Sequence, residues 1–229
     1  MIFHQLFEQE SSTYTYLLAD EESKEAILID AVLETAERDF KLLSELGLKL
    51  KYLVDTHIHA DHITGAGTLR SKTGARTAVS SGANVQCVDI TLKDGDELKF
   101  GKYTLKAVST PGHTNSCMTF YCEKMLFTGD VLFIRGTGRT DFQQGDSRKM
   151  YHSIHDKIFT YPDETRIYPG HDYKGLTYST VGEEKKFNPR VGGGKTEDEF
   201  VKIMSELKLA NPKKIDVAVP ANLKCGLNL

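Results

Sequence analysis

The feature that most constrains this chain is a cluster of metal-binding side chains placed directly after a predicted strand. Residues 48–54 are predicted to form a strand, and the segment behind it carries His57, His59, Asp61 and His62. An extended backbone points His57 and His59 to the same side, so both can face one cation. Burying these four groups unpaired would be costly, whereas one bound cation satisfies them all. We therefore predict a metal or catalytic site at a strand end; the alternative is a solvated polar loop.

Three further ligand types lie beside turn-forming residues or strand ends. His113 is part of a Pro-Gly-His-Thr turn, Asp130 ends a predicted strand, and His171 follows Tyr-Pro-Gly. Such positions can gather distant residues at one rim of a fold. A set of imidazole and carboxylate ligands without thiolate suits zinc, iron or manganese and does not by itself choose among them. The other three histidines are predicted to have packing, surface or structural roles: His4, His152 and His155.

The chain alternates predicted strands and helices, which indicates sheets covered by helices. We expect one α/β sandwich domain spanning residues 1–229. The strands are predicted at 13–18, 26–31, 48–54, 77–80, 97–100, 103–108, 118–122 and 125–128, with a closing strand marked by Ile215, Val217 and Val219. Helices are predicted at 35–46 and 67–72, through Met150, Ile154 and Ile158, and after a capping box at Thr196–Glu199.

Charge and hydropathy exclude two classes of partner. The 29 Lys and Arg residues are fewer than the 32 Asp and Glu residues and are scattered along the chain, so we expect no nucleic-acid partner. The apolar runs are far shorter than the roughly 20 residues that a membrane-spanning helix needs, so we expect no membrane segment. The amino terminus resembles neither a signal nor a transit peptide, which favours a cytoplasmic location.

The four cysteines are predicted to be free thiols. Cys87, Cys117, Cys122 and Cys225 lie far apart and form no C-x-x-C pair. A chain of this length can bury a sufficient core without covalent crosslinks. We therefore expect a reducing compartment. Cys225 is either a reactive thiol or, as is more common for a free cysteine, a small apolar residue.

The order of the ligand-bearing segments resembles the metallo-β-lactamase superfamily. The shared pattern is Thr-His-Ile-His-Ala-Asp-His at residues 56–62, followed by His113, Asp130 and His171. The resemblance implies an αββα sandwich with the metal site at one edge of the two sheets. Within the superfamily, four runs closely resemble the persulfide dioxygenase family, and that resemblance covers nearly the whole chain: residues 134–145, 168–173, 188–190 and 219–226.

This second resemblance implies a mononuclear non-haem Fe(II) enzyme that oxidises glutathione persulfide with O2 to sulfite and glutathione. Position by position, His57, His113 and Asp130 would be the iron ligands, a two-histidine, one-carboxylate facial triad that leaves three coordination positions open. The remaining residues of the pattern would orient those ligands, or hold the second metal found in hydrolase relatives: His59, Asp61, His62 and His171.

The retained second set of ligands keeps a dinuclear alternative open. A glyoxalase-II-like thiolester hydrolase would carry two Zn(II) ions, although the run at residues 138–143 resembles the dioxygenase pattern instead. A metal-dependent sensor or binding protein on the same scaffold is the non-enzymatic alternative.

The family resemblance also implies a substrate pocket and an assembly. Arg139, Asp141 and Tyr173 would line the glutathione pocket, although Arg139 and Asp141 could instead form only a local salt bridge. The resemblance implies a homodimer. For the location, the absence of an N-terminal extension suggests a bacterial cytoplasmic protein, and the alternative is a processed form in the mitochondrial matrix.

Overall fold

Two six-stranded mixed sheets form the centre of the protein. The computed structural model describes residues 1–210 and 214–227. The first sheet has the order β1-β2-β3-β4-β5-β6 and the second the order β12-β11-β10-β9-β8-β7. The strands of the first sheet are β1 (Ile2–Glu8), β2 (Thr13–Ala19), β3 (Glu25–Ile29), β4 (Lys49–Val54), β5 (Arg76–Ser80) and β6 (Ile90–Leu92). Those of the second are β7 (Glu97–Phe100), β8 (Tyr103–Ser109), β9 (Met118–Cys122), β10 (Met125–Gly129), β11 (Arg166–Pro169) and β12 (Ser179–Thr180).

The described residues form six α-helices, five of which cover the outer faces of the sheets. They are α1 (Ala36–Glu45), α2 (Ala66–Thr73), α3 (Ser147–His152), α4 (Val181–Phe187), α5 (Glu197–Ser205) and α6 (Ile215–Asn222). A π-helical turn, Ser153–Lys157, continues α3. The predicted capping box is present, since Thr196 and Glu199 each bond the other's backbone at the start of α5. Among the described helices, none is long and apolar enough to cross a membrane.

The alternation of side chains along β2 shows how both faces of a sheet are buried. Tyr16 and Leu18 point between the sheets and pack with Phe120 and Phe127 of the second sheet. Leu17 and its outward-facing neighbours pack instead with residues of α1 and α2. Successive side chains of a strand point to opposite faces, so a fully apolar strand can serve both layers. The αββα sandwich implied by the sequence resemblance is confirmed.

The topology brings three strand ends to one edge of the sandwich. In the first sheet, β4 runs parallel to β3 and β5 and leads into the segment that contains His57. In the second sheet, β10 and β11 are parallel and end just before Asp130 and His171 respectively. Met118 N donates to Thr56 O at 2.8 Å, which joins the two sheets at this edge. The predicted clustering of these segments therefore follows from parallel strand pairing.

The predicted closing strand at Ile215, Val217 and Val219 is wrong, because this segment forms α6. Burial there follows a helical spacing, with Ala218 and Ala221 buried and Val217 58% exposed. The alternating β-branched residues of this segment therefore do not coincide with the buried face of the helix. Small residues dock closely on the body of the protein, and this tertiary packing overrides the local β preference. Five strands or α-helices had no counterpart in the sequence prediction: β1, β6, β11, β12 and α4.

The prediction of four free thiols is also wrong. Cys87 and Cys225 form a disulfide across a sequence separation of 138 residues. Cys117 and Cys122 are free and buried, and burial raises the pKa of each thiol to about 12. Sequence spacing could not identify the pair, because only the docking of the segment after α6 brings Cys225 beside Cys87. In this structure Cys225 is therefore not the free thiol that the sequence analysis expected.

We expect the disulfide to contribute measurably to stability. Reduction of the wild-type protein should lower the free energy of unfolding by about 2–5 kcal/mol, because the crosslink restricts a long loop of the unfolded chain. Denaturant titration with and without a reducing agent measures the difference. A Cys87→Ser variant is the control, since its stability should not respond to the reducing agent. Four reactive thiols in the denatured, non-reduced protein would contradict the assignment.

Candidate metal centre and substrate cavity

His57, His113 and Asp130 form a compact group at the edge where the sheets meet. Each offers a ligand atom, and these atoms lie within 4.8 Å of one another. His113 Nε2 is 3.7 Å from Asp130 Oδ2, and the rings of His57 and His113 are 4.9 Å apart. All three residues are buried. The structure therefore brings together the three residues that the sequence resemblance assigned as iron ligands.

Hydrogen bonds orient both imidazoles of this group with Nε2 inward. The Thr56 hydroxyl donates to Asp30 Oδ2 at 2.9 Å, so its oxygen accepts from His57 Nδ1 at 3.0 Å. His113 Nδ1 donates to the Arg139 carbonyl oxygen at 2.7 Å. With the proton held on Nδ1 in both rings, each Nε2 carries a free lone pair. This is the arrangement of a metal-ligating histidine whose other nitrogen is fixed by a hydrogen bond.

The unsatisfied polar atoms of the group fit a bound cation. Among the described residues, neither His57 Nε2 nor Asp130 Oδ1 has a hydrogen-bond partner, although both atoms are buried. Leaving such atoms without partners costs roughly 1–3 kcal/mol each. Burial lowers the pKa of His57 well below its ordinary value, so the ring is a neutral ligand. One cation would compensate both atoms, so the donor set matches an imidazole-and-carboxylate metal site.

A second group lies beside the first and consists of His59, Asp61 and His62. His62 Nδ1 donates to Asp61 Oδ2 at 2.8 Å, so these two side chains pair with each other. Burial disfavours the charged forms of both side chains, but their mutual attraction outweighs it. Asp61 raises the pKa of His62, and His62 holds the pKa of Asp61 well below its usual range. His59 Nε2 lies 3.2 Å from Asp30 Oδ1. The group therefore already makes internal contacts, although its ligand types would also admit a second cation.

His171 lies between the two groups. Its Nε2 atom is 3.4 Å from Asp130 Oδ1 and 3.5 Å from Asp61 Oδ2. Burial lowers the pKa of His171, and the nearby carboxylates of Asp130 and Asp61 more than offset this and raise it. The structure thus brings together all seven residues that the sequence analysis identified at this site.

Sequence reasoning missed two supporting residues, Asp30 and Thr56. Asp30 is 1% exposed and accepts hydrogen bonds from the Thr56 backbone N–H at 2.7 Å and from the Thr56 hydroxyl. A signal was available, because Asp30 directly follows β3 and this strand pairs in parallel with β4. An acidic residue at the end of a neighbouring parallel strand is expected at the same edge of the sheet.

A cavity of about 450 Å³ opens beside the metal centre. Asp61, His113, Asp130 and His171 line its inner end, and one wall consists of the segment 133–139. The remaining lining comes from Ala60, Asp172, Tyr173, Lys174, Arg190, Leu209 and Ala210. This volume suits a ligand of small-peptide size, whose reactive end would reach the metal centre.

The three residues predicted for the pocket occupy different positions. Arg139 lines the cavity, and its Nε and Nη2 atoms donate to Asp141 at 2.6 and 2.8 Å while Nη1 donates to Ala210 O. Asp141 is absent from the cavity lining among the described residues and forms the local ion pair that the sequence left open. Tyr173 lines the cavity, is 72% exposed and stacks parallel to His171 at 6.0 Å.

Arg190 is the lining arginine without an acidic partner. Arg135 pairs with Glu183 and Glu184, and Arg139 pairs with Asp141. Within residues 1–210 and 214–227, no carboxylate lies within salt-bridge distance of Arg190, which donates instead to Thr137 O. Its positive charge is therefore available to an anionic group in the cavity. Arg190 belongs to the run 188–190 of the sequence pattern, which by itself assigns this residue no role.

The chain matches the family model described as the metallo-beta-lactamase superfamily over residues 9–86 and 88–171. It is 54% identical to "Persulfide dioxygenase ETHE1, mitochondrial" of Bos taurus over 230 residues, which cover 99% of this chain and 89% of that protein. The identity to the protein of the same name from Homo sapiens is 53% with the same coverage. The crystal structure of ETHE1 from Myxococcus xanthus is 49% identical, with a TM-score of 0.96 over 99% of this chain and 100% of that one.

We expect Asp130→Ala to lose most of its bound metal, because Asp130 supplies the only anionic ligand of the first group. Asp61→Ala is the matched control, since it removes a partly buried carboxylate from the second group, and it should keep about one metal ion per chain. Metal analysis of anaerobically purified protein measures both. Full metal occupancy in the Asp130→Ala variant would show that Asp130 is not a metal ligand.

Proposed function

Because the chain belongs to the metallo-β-lactamase superfamily and, within it, to the persulfide dioxygenases, we propose that it oxidises glutathione persulfide with O2. The products would be sulfite and glutathione. One persulfide, one O2 and one water balance this reaction, in which the terminal sulfur loses electrons to O2 and leaves as sulfite. The observation that carries the proposal is the similarity to persulfide dioxygenases along nearly the entire chain. The runner-up, a thiolester hydrolase with two zinc ions, is not favoured by that similarity.

We propose that one Fe(II) ion is held by His57, His113 and Asp130. The support is the donor set, with two imidazole nitrogens and one carboxylate oxygen close together beside the cavity, which His113 and Asp130 also line. This two-histidine, one-carboxylate set is typical of non-haem Fe(II) oxygenases. When bound there, Fe(II) would bring the persulfide sulfur and O2 together and couple them electronically. The second group, with His171, would support these ligands rather than hold another ion.

The chain's own residues would prepare the site in two ways. Asp30, through Thr56, and the Arg139 carbonyl oxygen hold the protons on Nδ1 of His57 and His113, so both Nε2 atoms stay available as ligands. Phe133 and Ile134 line the cavity wall beside the centre. Such apolar walls limit the access of water to a reactive sulfur group.

Arg190 would anchor the carrier thiol. Glutathione carries two carboxylates, and a guanidinium can bind one of them through two parallel hydrogen bonds. Arg139, Asp141 and Tyr173 would complete the pocket, with the Arg139–Asp141 pair holding the wall and the exposed Tyr173 ring covering the ligand. Anchoring the remote end of the peptide would place its persulfide at the metal centre.

We also propose that residues 1–229 form a single domain and that the chain is a homodimer. The apolar cluster between the sheets contains residues of both, which supports one shared core. Sedimentation velocity measures the assembly.

For the compartment we propose the bacterial cytoplasm, with the mitochondrial matrix as the alternative in a processed form. The mammalian relatives carry "mitochondrial" in their names.

The direct test combines metal analysis with O2 consumption. We expect about one iron per chain after anaerobic purification, as a single facial triad can hold one ion, and O2 uptake that depends on glutathione persulfide. Sulfite formation should match O2 uptake. Two zinc ions per chain, with hydrolysis of a glutathione thiolester and no O2 uptake, would instead establish the hydrolase.

Substitution of Arg190 tests the anchoring of the carrier thiol. Arg190→Ala should raise KM roughly tenfold or more with a small change in kcat, because a remote charge pair is lost in both ground and transition states. Arg139→Ala should raise KM less, since Asp141 and Ala210 already occupy its donors. Arg148→Ala removes an exposed arginine that pairs with Glu197 and Asp198, and it should leave KM unchanged. An unchanged KM in the Arg190 variant would contradict the proposed anchor.

A further inference from the structure

The segment that carries most of the metal-site residues has little regular structure of its own. Residues 55–63, all of which the structure describes, form neither helix nor strand. Their backbone polar groups therefore need partners from elsewhere in the protein. Backbone groups supply some of them, since Met118 N donates to Thr56 O and Leu33 N donates to Ile63 O. Between these two points, the carbonyl groups of Ile58, His59 and His62 bond to side chains.

Asn222, the last residue of α6, satisfies three backbone groups at the end of this segment. Its Nδ2 atom donates to His59 O and His62 O, both at 2.9 Å, and its Oδ1 atom accepts from Thr64 N at 2.8 Å. The side chain is nearly inaccessible, with 4% of the residue exposed. Both amide hydrogens and the carbonyl oxygen are therefore used to hold one turn of the backbone.

The position of Asn222 is itself fixed by the packing of α6. Ala218 and Ala221 pack on Ile63, which lies in the same segment. Gly226 approaches so closely that an added Cβ would lie 2.3 Å from Thr64 O. The Cys87–Cys225 disulfide ties the end of this region to the body of the protein. Asn222 is thus presented from a rigid support, which an accurate hydrogen-bonding geometry requires.

A second side-chain amide bonds to the same segment. Gln143 Nε2 donates to Ile58 O at 2.7 Å. Together the two amides bind the carbonyl groups of Ile58, His59 and His62, while Thr56 binds the His57 ring. The turn that aims the imidazoles is therefore imposed by residues far away in the sequence.

We propose that Asn222 is a positioning residue for the metal centre. It touches neither the metal ligands' nitrogen atoms nor the cavity. By joining His59 O and His62 O to one amide, it closes the turn that follows His57 and keeps the imidazoles in the arrangement that a metal ion needs. Without it, the segment would have to be ordered when the metal binds, and this cost in conformational entropy would lower the affinity for metal. The inference rests on the proposed Fe(II) centre.

Asn188 offers a matched control elsewhere in the fold. It is 1% exposed, its Nδ2 donates to Gly136 O and Glu184 Oε2, and its Oδ1 accepts from the backbone N–H groups of Arg190 and Val191. Removing either amide leaves a similar number of buried groups without partners. Asn188, however, supports the cavity wall, whereas Asn222 supports the segment with the imidazoles.

The test compares Asn222→Ala with Asn188→Ala by anaerobic competition for Fe(II) against a chromophoric chelator, alongside steady-state kinetics. Loss of outer residues that orient ligands typically reduces metal affinity 10- to 100-fold, so Asn222→Ala should weaken Fe(II) binding by about tenfold or more. Its kcat per bound iron should fall while KM changes little. Asn188→Ala should raise KM and leave the Fe(II) affinity within about twofold of wild type.

The serine variants keep the comparison decisive if either alanine variant fails to fold. A serine hydroxyl can still bond to one of the three backbone groups. Asn222→Ser should therefore bind Fe(II) with an affinity between those of wild type and Asn222→Ala. Asn188→Ser should bind Fe(II) with the wild-type affinity. Equal Fe(II) affinities in the Asn222 and Asn188 series would overturn the positioning role alone. A wild-type protein that binds no Fe(II) would overturn the proposed centre and this inference with it.

Discussion

The contact between Thr56 and Gly129 is the constraint on which the rest of the site depends. Gly129 has a φ of 49°, and a Cβ there would lie 2.5 Å from Thr56 Oγ1. Only glycine allows this approach, and it brings the ends of β4 and β10 together. Through the same oxygen, Thr56 links Asp30 to the His57 ring. The first sheet thus contributes an oriented imidazole at the point where the second contributes Asp130.

The balance of charges at this edge explains how so many ionisable groups can be buried together. His57 and His59 have pKa values far below normal because of burial, whereas Asp61 and His62 stabilise each other's charge. Burial, reinforced by the nearby Asp30, raises the pKa of Asp55 to about 7. The neutral rings of His57 and His59 and the Asp61–His62 ion pair therefore add no net charge to this edge. A cation at the first group would meet one carboxylate and two imidazole nitrogens.

Much of the fold and site could be predicted from the sequence because the signals were local. The strands before His57 and Asp130 and the capping box at Thr196 are each readable within a few residues, and the ligand pattern consists of four short segments that are each recognisable in the same way. The prediction failed where distant segments decide the outcome. The helix at Ile215–Asn222 forms because Ala218 and Ala221 pack on Ile63, and Cys87 pairs with Cys225 because that helix docks. The role of Asn222 likewise depends on contacts across about 160 residues.

The Cys87–Cys225 disulfide places the proposed metal ligands in two covalently different parts of the chain. It closes a covalent ring that contains His113, Asp130 and His171, whereas His57 lies on the open chain before it. A backbone cut anywhere within the ring would leave every residue of the protein in one covalent molecule as long as the disulfide persists. A cut between His57 and Cys87 would instead separate a fragment that carries His57 together with Asp30 and Thr56. The two halves of the centre therefore differ in their exposure to proteolytic loss.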